Sequence, residues 1–92
     1  MNARSCRFLV RGRVQGVGFR WFVMRVAARL QVSGYVRNLP DGQVEVRASG
    51  TREALETLER ELASGPSAAR VESVEKQELP HEAHRFKSFE IL

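Results

Sequence analysis

Apolar and polar side chains alternate along residues 7–14. Phe8, Val10 and Gly12 fall on one side, and Arg7, Leu9, Arg11 and Arg13 on the other. A period of two is that of a strand with one buried face. At Phe19 the period changes. Phe19, Phe22, Val23, Val26, Ala27 and Leu30 recur at helical spacing, with Arg25 and Arg29 on the opposite side, which predicts an amphipathic helix ending near Gln31 to Ser33. Gly34 opens a second strand, Tyr35-Val36-Arg37-Asn38, and Leu39-Pro40-Asp41-Gly42 reads as a turn. Val44, Val46 and Ala48 then alternate with Gln43, Glu45 and Arg47, completing a hairpin.

Thr51 suits the N-cap of a second helix whose buried stripe is Ala54, Leu55, Leu58 and Leu62. Glu56 and Arg60 stand four apart on its wet side and are expected to pair. Gly65 and Pro66 end it. Val71, Val74 and Leu79 suggest a fourth strand, and Phe86, Phe89 and Ile91 a last one, whose pairing the pattern leaves open.

This order is a split β-α-β unit, doubled. Right-handed crossovers put both helices on one face of the sheet. The expected fold is therefore α+β: a ferredoxin-like two-layer sandwich, βαββαβ plus a C-terminal strand, with two helices packed on one face of an antiparallel sheet. Residues 1–92 fit one domain. The other sheet face is expected to be polar, with Arg7, Arg11, Arg13, Gln43, Glu45 and Arg47.

Apolar residues make up 42% of the chain and charged residues 28%, a globular balance. The longest apolar run, Trp21-Phe22-Val23-Met24, is closed by Arg20 and Arg25, far short of the roughly 20 residues of a membrane helix. Phe8-Leu9-Val10 stops at Arg11, too soon for a signal peptide's apolar core of about 7–15 residues. A cytoplasmic protein is expected, without a membrane partner and as a monomer. Cys6 is the single cysteine, which agrees with a reducing compartment. The formal charge is +4, and eight arginines precede the first acid, Asp41. Such a field draws small anions to the N-terminal half, although most surface arginines are simply solvated.

The segment that gives this charge a chemical direction is Val10 to Arg20. It leaves a strand, passes Val14-Gln15-Gly16-Val17-Gly18, and enters the first helix. Helix-start N–H groups lack partners within the helix and favour anions. Gly16 and Gly18 allow left-handed conformations that turn successive N–H groups inward as a nest. Arg20, in the first helical turn, could clamp two phosphoryl oxygens. A Walker loop is excluded because Gly18 is followed by Phe19-Arg20, and a dinucleotide fingerprint because Trp21 stands where glycine or alanine is needed. Taken alone, the segment fits a plain strand-to-helix turn equally well.

The segment resembles the first signature of the acylphosphatase family, matched by Val10, Gly12, Val14, Gln15, Gly16, Val17, Phe19 and Arg20. Gly34-Tyr35-Val36-Arg37-Asn38, with Gly42, Val44 and Gly50 at the expected spacing, is similar to the second. The resemblance covers essentially the whole chain, and residues 86–92 are similar to the family's ending. It implies hydrolysis of small-molecule acyl phosphates to a carboxylate and inorganic phosphate, with Arg20 and Asn38 as the catalytic pair. Arg20 matches the phosphate-binding arginine and Asn38 the asparagine that positions water. Main-chain N–H groups of Gln15, Gly16, Val17, Gly18 and Phe19 match the phosphate cradle, which could also hold a phosphate or sulfate ion. No metal and no cofactor is implied.

That chemistry suits so small a set of groups. The leaving carboxylate has a conjugate acid of pKa about 4 and departs unaided, so a general acid, typically worth about 10²–10⁴ in rate, is not required. What remains is holding the phosphoryl group, neutralising its charge and placing water in line.

His81 and His84 are spaced by three, not the four of a zincin helix. A metal role is not expected. Nothing around Cys6 lowers a thiol pKa, so an inert strand thiol is expected. Phe22 is expected in the core, and Trp21 either packs at a sheet edge or lines the acyl side of the site. An RNA-recognition module shares this element order. It needs aromatics on the sheet, and the outward positions of the hairpin and first strand are Gln43, Glu45, Arg47, Arg11 and Arg13. No nucleic-acid partner is expected, so a non-catalytic ferredoxin-like binding module is the weaker alternative. The resemblance leaves one more, the homologous front domain of a large carbamoyl-transfer maturation protein. An end at Leu92 favours a free-standing enzyme.

Overall fold

The computed structural model describes residues 4–79 and 86–92; His81 and His84 lie outside them. Its elements are β1 (Arg4–Arg13), α1 (Phe19–Leu30), β2 (Ser33–Asn38), β3 (Val44–Gly50), α2 (Arg52–Ser64), β4 (Arg70–Glu78) and β5 (Phe89–Ile91). The sheet order is β4-β1-β3-β2-β5. The first four strands pair antiparallel, as the expected fold requires. β5 adds to the free edge of β2 in parallel, with Gly34 opposite Phe89 and Val36 opposite Ile91. The sheet is thus mixed.

One core joins the two layers. Cys6, Phe8, Val10, Val36, Val44, Val46 and Ala48 supply the sheet side, and Phe19, Val23, Val26, Ala27, Leu55, Leu58 and Leu62 the helix side. The period-two and helical stripes meet there. Phe22 and Leu30 lie at its margin, half-buried. Thr51 caps α2 as expected, its hydroxyl accepting from the Ala54 N–H at 3.1 Å. The expected Glu56–Arg60 pair is not made. Glu56 accepts from Arg52, one turn earlier, at 3.2 Å, while Arg60 donates to the Thr57 hydroxyl. Both arrangements satisfy helical spacing, and an exposed pair is too weak to fix the choice. β4 is an edge strand whose Glu72, Glu75, Lys76 and Glu78 are exposed, which discourages edge-to-edge pairing. Among the described residues no helix is long and apolar enough to cross a membrane.

The open sheet face is less uniformly wet than its polar sequence suggests. Glu45 is only 2% exposed. Its carboxylate accepts from Arg7 on β1, Arg37 on β2 and the Tyr35 hydroxyl. Burial acts to raise its pKa, and the two guanidinium hydrogen bonds more than offset that, holding it below the usual carboxylate range. Tyr35 also meets Phe86 edge-on, with ring centroids 5.8 Å apart.

Candidate active site

The site is built where β1 hands over to α1. Gly16 and Gly18 both adopt the left-handed region, at φ of 75° and 76°. A Cβ on either would meet nothing within 4 Å. The demand is therefore conformational, since an L side chain held there costs about 1–2 kcal/mol. Gly18 is the N-cap of α1, which has neither a side-chain cap nor an acidic residue in its first turn. Nothing on the helix itself neutralises its positive end. The Phe22 N–H is bonded to the Gly18 carbonyl at 3.1 Å. Among the described residues, the amides of residues 16–21 meet no main-chain acceptor. A run of unpaired N–H groups at a helix start is the setting in which anions bind.

Val14, Gly16, Gly18, Phe19, Arg20, Trp21 and Asn38 line one cavity of about 170 Å³. Arg20 comes from the first turn of α1 and Asn38 from the last position of β2, so helix–strand packing brings residues 18 apart to one hollow. A larger hollow of about 250 Å³ exists beside Cys6, Lys76 and Glu78, but there the Lys76 ammonium is paired with Glu78 and Glu59. Burial, then Glu78, pushes the Cys6 thiol up, so it is a poor nucleophile.

Arg20 is half-buried. Its Nη1 donates to the Leu92 main-chain oxygen at 3.0 Å, and the Leu92 N–H donates to the Val36 carbonyl at 2.9 Å. Leu92 thereby anchors one arm of the guanidinium fork. Asn38 Oδ1 is buried with no hydrogen-bond partner, the one such side-chain N or O among the described residues. Leaving a buried acceptor unpaired costs about 1–3 kcal/mol, and an ordered water or a ligand donor would relieve that cost.

Sequence reasoning missed the role of the Gln15 side chain. Its Nε2 donates to the Leu39 carbonyl at 2.8 Å and to the Gln43 carbonyl at 2.9 Å. Those carbonyls close the β2–β3 turn, accepting from Gly42 N–H and Leu39 N–H respectively. Asn38 immediately precedes this clamp. Gln15 and Val17, expected in the phosphate cradle, are not among the residues that line this cavity. Among the described residues no three His, Cys, Asp or Glu side chains gather as a metal site would require.

A model of the acylphosphatase family matches residues 6–91. The acylphosphatase of Koribacter versatilis (strain Ellin345) is 54% identical over 85 residues, which cover 92% of this chain and 76% of that protein. The crystal structure of acylphosphatase from Bacillus subtilis matches with a TM-score of 0.92 and 34% identity, covering 97% of this chain and 98% of that one. Full-length HypF, solved in a phosphate- and nucleotide-bound form, matches 98% of this chain with a TM-score of 0.85 and 25% identity, but this chain spans only 12% of its length.

Proposed function

The chain belongs to the acylphosphatase family and hydrolyses acyl phosphates; on that premise we propose that Arg20 and the loop amides hold the phosphoryl group while Asn38 presents the attacking water. The observation that carries this reading is that Asn38, whose Oδ1 is buried without a hydrogen-bond partner, lines the cavity that Arg20 also lines. A water that donates one O–H to this oxygen is fixed in orientation, with a lone pair free to attack phosphorus.

The substrate's phosphoryl oxygens take the positions that the unpaired amides of Gln15, Gly16, Val17, Gly18 and Phe19 and the Arg20 fork address. Charge on these oxygens is matched by fixed donors that need no rearrangement during reaction. Water adds to phosphorus as the bond to the acyl oxygen breaks, and the leaving group departs as a carboxylate. The water's proton passes to the bound phosphate or to solvent, because a carboxamide is too weak a base to keep it. Residues 1–92 act as one acylphosphatase-like domain, working as a monomer in the cytoplasm with neither nucleic acid nor membrane as partner. The unpaired, buried Cys6 fits that compartment.

Steady-state hydrolysis of benzoyl phosphate by Asn38→Ala tests the reading. Loss of water placement should lower kcat about 100-fold or more, while orthophosphate inhibits the variant within about twofold of the wild type. Near-normal kcat would show that Asn38 does not position the nucleophile.

A further inference from the structure

Trp21 is the single tryptophan of the chain and is 62% exposed. Among the described residues only Leu92 is another exposed large hydrophobic side chain. Both border Arg20: Trp21 follows it in α1 and lines the same cavity, and the Leu92 main chain accepts its hydrogen bond. The two other bulky apolar residues of the cavity, Val14 and Phe19, are each 1% exposed and belong to the core. Trp21 is therefore the cavity-lining residue that still offers a large exposed apolar side chain. In α1 the core takes Phe19, Val23, Val26 and Ala27, so Trp21 contributes little to packing.

We propose that Trp21 is the acyl subsite: a flat apolar wall against which the carbonyl-bearing part of the substrate lies, selecting aromatic and extended apolar acyl phosphates over small ones. The proposal rests on the reading that Arg20 and the loop amides hold the phosphoryl group. With that group anchored among amides and a guanidinium, the acyl group must emerge from the cavity past its rim. A phenyl ring there covers part of the indole and gains both apolar burial and ring–ring contact, whereas a methyl group covers little. A charged or strongly hydrated acyl group would gain nothing from this surface.

Comparing benzoyl phosphate with acetyl phosphate on the intact chain tests the idea, with orthophosphate inhibition measured alongside. Trp21→Ala should raise KM for benzoyl phosphate roughly 5- to 20-fold, against twofold or less for acetyl phosphate. Trp21→Phe, which keeps an aromatic face, should recover most of the difference. Equal changes for both substrates, or none for either, would overturn the subsite, provided orthophosphate still inhibits wild type and variant alike. If orthophosphate inhibits neither protein, the cradle reading itself fails and takes the subsite with it.

Discussion

Of the residues in the proposed site, the loop glycines and Arg20 were readable from chemistry before geometry. Gly16 and Gly18 stand where the chain must adopt positive φ, which is what their place between a strand and a helix suggested. Arg20 sits one residue inside α1 and lines the same cavity as Gly16 and Gly18; the proposed clamp needs its planar fork. Lysine keeps the charge but not the paired donors. Arg20→Lys should therefore lower kcat/KM for benzoyl phosphate about 100-fold or more and weaken orthophosphate inhibition in parallel. Retention within about threefold would mean that charge alone suffices. What the residues could not reveal was the company they keep. The Leu92 oxygen on Arg20 and the empty acceptor of Asn38 are products of packing between segments far apart in sequence.

At the scale of elements, the proposed mechanism needs a loop and a hairpin held in register. Gln15 does this with both hydrogens of its amide, tying the β1–α1 loop to the β2–β3 turn. The resemblance implied a main-chain role for Gln15 and none for its side chain, because only the folded hairpin supplies the acceptors. Gln15→Ala removes two half-buried hydrogen bonds, each worth about 0.5–1.5 kcal/mol net. It should lower the urea midpoint and reduce kcat about tenfold through misplacement of Asn38. The orthophosphate inhibition constant should move less than threefold, because the main-chain cradle stays. A variant with lowered stability but unaltered kcat would reduce the clamp to a structural part. Helix boundaries and hairpin were legible because their stripes are long. The Glu56–Arg60 pairing was misjudged because Arg52 reaches the same carboxylate from the other side.

The whole molecule shows why charge asymmetry alone was a weak guide. Of the early arginines, Arg7 and Arg37 are spent on Glu45 across the open sheet face, and Arg29 pairs with Glu61 between the helices. Alternation placed Glu45 outward but could not show that two guanidiniums cover it. The parallel pairing of β5 with β2 was equally hidden, since a three-residue strand has too short a pattern to fix direction. The Glu45 carboxyl is held below its ordinary value by Arg7 and Arg37 in the folded state. Its contribution is therefore fully present above the unfolded pKa of about 4.3 and is lost as pH falls through the lower folded value. Glu45→Gln should destabilise the protein by about 1–2 kcal/mol at pH 7, the partners being partly exposed. The gap in urea midpoint should shrink below about pH 4. A gap independent of pH would deny the carboxylate its role.

The account stands on convergence of one guanidinium, the loop amides and one carboxamide upon a single bound phosphoryl group. Titration of ¹⁵N-labelled protein with orthophosphate observes all three groups at once. The amides of residues 15–20, the Arg20 side-chain N–H and the Asn38 side-chain amide should shift together along one saturable curve. Shifts confined to exposed arginines such as Arg11 and Arg13, with the loop amides and Asn38 unmoved, would contradict it.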